Sequence, residues 1–124
     1  MSTRIIKLNR GDSFELPIAI TNKTDSTEPY LLTSKDVLYF ALLYPNQRFE
    51  DAIFIKGYTL EEQDVKTGEI TVNISPNDTR RLAPGVYYYT AKLQRGGTIG
   101  ILDDFDEPDE VRTIIERTKF IINE

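Results

Sequence analysis

The feature that most restricts how this chain can fold is an apolar alternation with a period of two. Phe14, Leu16, Ile18 and Ile20 alternate with Glu15, Pro17 and Ala19. Ile70, Val72 and Ile74 alternate with Thr71 and Asn73, and Tyr87, Tyr89, Ala91 and Leu93 alternate with Tyr88, Thr90 and Lys92. Successive side chains on a strand point to opposite faces, so each run predicts a strand with one face on a core and the other on solvent or a partner. The run from Val37 to Tyr44 is different, being apolar on both faces. It predicts a central strand whose second face is covered, with another subunit as the candidate cover. Ile53 to Lys56, Thr98 to Leu102 and two short runs near Ile114 and Phe120 complete a set of roughly eight strands.

Turn chemistry separates these runs. Asn9-Arg10-Gly11-Asp12 divides the first two strands, Pro45-Asn46-Gln47 ends the central one, and Gly96-Gly97 predicts a hairpin turn. The stretch from Asn22 to Thr27 is polar and reads as a mobile loop. One short helical turn is expected near 76–82. Ser75 is its cap, Pro76 its first residue and Asp78 the partner in a capping box, and Pro84-Gly85 stops it. No internal repeat divides the 124 residues, so residues 1–124 read as a single domain. The class is all-β, an antiparallel sandwich.

Composition enters by what it excludes. The chain has no histidine and no cysteine. Gly11-Asp12-Ser13 resembles the nucleophile block of an esterase family, but no histidine is present to take the serine proton, and the segment reads as a turn. No pair among the 20 acids is singled out for glycoside hydrolysis, and the expectation is that the protein is not an enzyme. Arg10-Gly11-Asp12 matches an adhesion tripeptide but falls on an expected turn. Asn22, Asn73 and Asn77 begin glycosylation patterns that carry no weight without a secretion signal, and the apolar run near the N-terminus is too short for one. No stretch approaches the ~20 apolar residues of a membrane helix.

The net charge of −5 is local. Residues 103–110 hold six of the 20 acids, leaving 14 acids against 15 bases elsewhere. Neither balance suits a nucleic-acid binder, and no cofactor is expected. Asp103, Asp104, Asp106 and Asp109, with Glu107 and Glu110, offer hard oxygen ligands suited to calcium. Their spacing does not match an EF-hand, and the plainer reading is a solvated loop extended by like charge. Tyr39, Tyr44 and Tyr88 are the interface candidates, since tyrosine is enriched at protein interfaces. Tyr87, just after Pro84-Gly85, is the candidate for a tyrosine corner that bonds its hydroxyl to upstream backbone.

Several blocks together resemble a known family. These are Arg10 to Leu16; Tyr30-Leu31-Leu32-Thr33 with Asp36-Val37 and Phe40; Gly68 to Val72 followed by Ser75 to Thr79, Leu82, Pro84-Gly85, Tyr87 and Tyr89; and Val111, Thr113 to Ile115 and Lys119 to Ile122. The chain resembles small immunoglobulin-like β-sandwich proteins of tailed bacteriophages and prophages, and is similar to the N-terminal domain of phage baseplate upper proteins. Two departures are Thr90, where the family often carries Asp, and the inserted 103–110 segment. The resemblance implies a structural, non-catalytic virion protein of a baseplate, tail tip, fibre or head decoration. It would be synthesised in the bacterial host cytoplasm and act through interfaces with other virion proteins and, as a homo-oligomer, with itself. The alternatives are a carbohydrate-binding module for host-surface attachment, which a glycan array with and without chelator would reveal, and a non-virion phage protein that binds a host protein.

Overall fold

A computed structural model describes residues 5–22, 24, 27–95 and 110–124. The alternating segments form seven strands: β1 (Ile6–Asn9), β2 (Phe14–Ala19), β3 (Val37–Leu43), β4 (Phe54–Tyr58), β5 (Glu69–Ile74), β6 (Gly85–Arg95) and β7 (Glu110–Asn123). One helical turn, α1 (Pro76–Thr79), and 3₁₀ turns at Phe49–Asp51 and Leu60–Glu62 complete the described elements. The strands make a five-stranded sheet of order β1-β7-β6-β3-β4 and a two-stranded sheet of β2 and β5. The expected Thr98–Leu102 strand and Gly96-Gly97 turn, and most of the acidic run, lie outside the described residues.

The sheets face each other across one core. The inward set of β2 and β5 (Leu16, Ile18, Ile70, Val72, Ile74) meets Leu38, Phe40 and Leu42 of β3, Tyr87, Tyr89, Ala91 and Leu93 of β6, and Phe120 and Ile122 of β7. Each fully buried Ile or Leu contributes about 2 kcal/mol, so the alternation itself drives the two sheets together. A row of rings crosses the larger sheet. Phe40 lies 6.4 Å from Phe54 and 5.8 Å from Tyr89, and Tyr89 meets Phe120 edge-on at 6.3 Å.

Two expectations need correction. The sheet is mixed, because β1 runs parallel to β7, with Ile6 opposite Phe120 and Leu8 opposite Ile122. The chain does not fold back on itself after β1. It turns at Gly11, with φ +86°, and crosses to the other sheet, where the Gly11 amide donates to Thr79 Oγ1 at 3.1 Å. The runs near Ile114 and Phe120 are also one strand, not two. Register shifts opposite Tyr89–Ala91 and Ala91–Lys92 insert extra residues into β7. These bulges let the consecutive Ile114 and Ile115 both enter the core, which hides the strand's period. The Thr90 hydroxyl donates to the Ile115 carbonyl at 2.6 Å beside the irregularity.

Polar joints hold the ends of the sandwich. At one end Asp36, buried before β3, accepts the Tyr30 hydroxyl at 2.6 Å and the Thr33 amide at 3.0 Å. Arg95 Nε donates to the Tyr30 oxygen at 3.0 Å, and its guanidinium lies over the Tyr30 ring. Burial, then the hydrogen bond to Asp36, pushes the Tyr30 pKa up. Buried Gln63 accepts the Leu32 amide at 2.8 Å and donates to the carbonyls of Tyr30 and Gly68.

At the other end, Ser75 and Asp78 form the capping box of α1, with the Ser75 amide donating to Asp78 Oδ2 at 2.7 Å. The same oxygen accepts Lys56 Nζ at 2.6 Å, an ion pair that ties β4 of one sheet to the turn after β5 of the other. The Tyr87 hydroxyl donates to the Ala83 carbonyl at 2.6 Å, closing the turn into β6, and Leu82 packs against the core.

Tyr87→Phe removes one hydrogen bond and is expected to cost about 1 kcal/mol, read as a lower urea midpoint at unchanged slope. Burial alone would raise the Asp78 pKa, but hydrogen bonds from Lys56 and the Ser75 amide outweigh it and hold the pKa below the ordinary Asp value. A depressed carboxyl stabilises the fold above its unfolded pKa of about 4 and ceases to do so as pH falls through the folded value. Asp78→Asn should therefore lower stability at pH 7 by about 1 kcal/mol and flatten the fall in stability below pH ~4, as measured by denaturation at a series of pH values.

Candidate protein-binding face

The outward face of the five-stranded sheet divides into a closed half and an open half. On β3 the outward residues Val37, Tyr39, Ala41 and Leu43 are buried together with Phe49 of the first 3₁₀ turn, and Ala52 and Ile55 pack at their margin. The expectation that this second face is covered is met, but the cover is the chain's own Phe49 segment. Tyr39 is therefore no surface residue, at 8% exposure. Gly57, opposite it on β4, leaves room for the ring to lie across the sheet; a Cβ there would sit 3.3 Å from the Tyr39 ring. Lys92 Nζ lies 5.2 Å from the Phe49 ring centroid and holds the cover from the β6 side.

The open half lies over the Val86–Tyr88 end of β6, the facing end of β7, and β1, since the outward Thr90 and Gln94 farther along β6 are buried. Strand register puts Val86, Ile121 and Lys7 in one outward row, and Leu43, Tyr88 and Lys119 in the next. Cβ atoms of directly opposed residues lie about 5 Å apart, so lysine and apolar side chains interleave. Val86 is 46% exposed, and Ile5, just before β1, is 53% exposed. A depression of about 350 Å³ is lined by Pro45, Asn46, Tyr88 and Arg117. A second, of about 210 Å³, lies between Phe49, Thr90, Lys92, Thr113, Glu116 and Arg117. Arg117, in the irregular stretch of β7, borders both. Arginine, tyrosine and exposed aliphatic groups beside shallow concavities are the makings of a protein interface, whose centre buries apolar anchors within a polar rim.

The three tyrosines picked from sequence are not brought together. Tyr39 is inside the closed half. Tyr44 is half-exposed, but its ring lies 5.5 Å from that of Tyr87, at the edge of the sandwich core. Burial, then the neighbouring Tyr44, raises the Tyr87 pKa. Tyr88 alone lies in the open face. Sequence reasoning missed Lys7, Val86, Arg117, Lys119 and Ile121, because only the assembled sheet brings them to the same face as Tyr88. The alternation of Val86 with Tyr87 and of Lys119 with Phe120 was the signal that could have placed them outward.

The remaining motifs join no site. Arg10 pairs with Glu124 at 2.9 Å across the β1–β7 end. Asp12 and Ser13 are exposed on the turn. The calcium candidates Asp103, Asp104, Asp106 and Asp109 lie outside the described residues, and among those described no three His, Cys, Asp or Glu side chains gather as a metal site. No described helix is long and apolar enough to cross a membrane.

Cover and open face separate energetically. Phe49→Ala uncovers β3 and is expected to cost about 3 kcal/mol, whereas Tyr88→Ala should cost under about 1 kcal/mol; urea midpoints of the two variants measure the contrast. Comparison with known family models, curated proteins and solved structures gives no significant match to this chain.

Proposed function

We propose that this chain is a non-catalytic structural protein of a tailed-phage virion, an immunoglobulin-like β-sandwich that works through protein–protein interfaces. The observation that carries the binding role is the open half of the outer sheet face, where Val86, Tyr88 and Ile121 stand among Lys7, Arg117 and Lys119. Solvated sheet faces do not need apolar anchors interleaved with cations, whereas interfaces use both.

Strand order supports the immunoglobulin-like part of the reading. β3, β6 and β7 are sheet neighbours, β2 pairs β5 in the opposite sheet, and a tyrosine at the start of β6 bonds to backbone just upstream. That combination is the arrangement of strands B, C, E, F and G and of the tyrosine corner in such sandwiches. The blocks that resemble the phage family fall on the joints of this fold: Tyr30, Thr33 and Asp36 at the entry to β3, Ser75 and Asp78 at α1, and Tyr87 at the corner. The family setting supplies the virion, and the open face supplies the means of attachment there.

The test is mass spectrometry of purified particles of the encoding phage, counting copies of this chain. Several to hundreds of copies per particle are expected. Val86→Asp combined with Tyr88→Ala should lower that number while the isolated protein stays folded by circular dichroism. Complete absence of the wild-type chain from particles overturns the structural role.

A further inference from the structure

We infer that the Val86–Tyr88–Ile121 face of one copy docks the acidic 103–110 segment of a second copy, joining copies head to tail. This inference rests on the reading of that face as a protein-binding surface and names its occupant. Three observations carry it.

The first is charge complementarity. The chain is net negative, yet this face gathers Lys7, Arg117 and Lys119, with Glu116 as the acid beside them in the groove. The opposing charge is concentrated in residues 103–110 of the same sequence. The second is the form of the match. That segment reads Asp103-Asp104-Phe105-Asp106-Glu107-Pro108-Asp109-Glu110, one aromatic residue flanked by acids. It complements a face in which apolar positions are flanked by cations. Such pairing gives an interface its orientation and rejects the like-charged alternative.

The third is distance. Arg95 and Glu110 are paired at one end of the β6–β7 ladder, and Tyr88 and Lys119 lie towards the other. The span along β6 from Arg95 to Tyr88 is about 23 Å at ~3.3 Å per residue. Asp106 can stand no farther than about 14 Å from Glu110 along a fully extended chain. Asp106, Glu107 and Asp109 therefore fall short of Tyr88 of their own chain, so the whole segment can lie along this face only where the face belongs to another molecule. An acidic segment from one copy on the basic face of the next makes a heterologous contact, which generates a ring where the rotation closes and a filament where it does not.

The test uses the full chain and two variants, each blocked on one side. Lys7→Glu with Lys119→Glu reverses the face, and Asp103→Lys, Asp104→Lys and Asp106→Lys reverse the segment. All five positions are exposed or lie in the segment itself, and melting curves check that the variants fold. In sedimentation velocity the wild type should associate as concentration rises, and association should weaken about tenfold on raising salt from low to physiological strength. Each variant alone should stay monomeric. An equimolar mixture of the two variants should associate again, since the acidic segment of the first meets the basic face of the second and the reversed segment of the second meets the reversed face of the first.

A synthetic peptide of residues 101–111 should bind the wild type and lose about tenfold in affinity on the Lys7→Glu, Lys119→Glu variant. This arm stands even where the segment variant does not fold. A wild type that remains monomeric at all concentrations, or a peptide that binds the reversed face equally well, overturns the inference. Loss of head-to-tail docking with incorporation into particles still dependent on Val86 and Tyr88 overturns it while leaving the face as the site of a different virion partner.

Discussion

A strand that is apolar on both sides cannot be left on the surface of a small sandwich, and the rest of this architecture follows from where β3 must go. It takes an interior position in the larger sheet, between β4 and β6, with Leu38, Phe40 and Leu42 on the main core. Its other face, from Val37 to Leu43, then requires a lid. The connection to β4 is folded back so that Phe49 is buried with the outward side chains of β3, and Lys92 reaches across from β6 to the same ring. Burial on this face extends to Thr90 and Gln94 of β6 and ends before Tyr88. What is left uncovered, at the Val86–Tyr88 end of β6 and over the adjoining β7 and β1, is the open face proposed for binding.

The polar groups have a different task from the apolar ones. Burial of alternating side chains brings two sheets together but does not determine how the connecting segments leave and re-enter them. Asp36, Gln63, Asp78 and Tyr87 do this by bonding specific backbone or side-chain groups at chain reversals. They act at the two ends of the sandwich, where the Lys56–Asp78 pair additionally links the two sheets. The blocks on which the proposed phage setting rests are largely these joints. Joints bear on the fold, whereas any partner would be met by the outward residues that the joints support.

Strand positions were legible wherever the period of two was regular. β2, β5 and β6 appear where Phe14–Ile20, Ile70–Ile74 and Tyr87–Leu93 alternate, and the capping box and tyrosine corner were readable because their partners are close in sequence. β7 was misread as two runs because its bulges put Ile114 and Ile115 side by side in the core, and a bulge is a response to the partner strand. The same limit applied to the candidate site. Tyr88 was found because its phase in β6 is fixed by Tyr87 and Tyr89. Tyr39 was misassigned because its cover depends on Gly57 and Phe49, which approach it only when β3, β4 and the turn between them are assembled.

The sequence by itself therefore determined the all-β class, which residues face inward on the regular strands, the local turns, and the separation of the acidic 103–110 run from an otherwise balanced chain. These depend on the two-residue repeat of an extended backbone and on contacts within a few residues. Tertiary structure alone decided that β1 lies parallel to β7, that the second face of β3 is closed from within, and that Lys7, Val86, Arg117, Lys119 and Ile121 share one face with Tyr88. Those relations join positions far apart in the chain. Their register is selected by the packing of whole strands across the core, a collective energy that no short stretch of sequence contains.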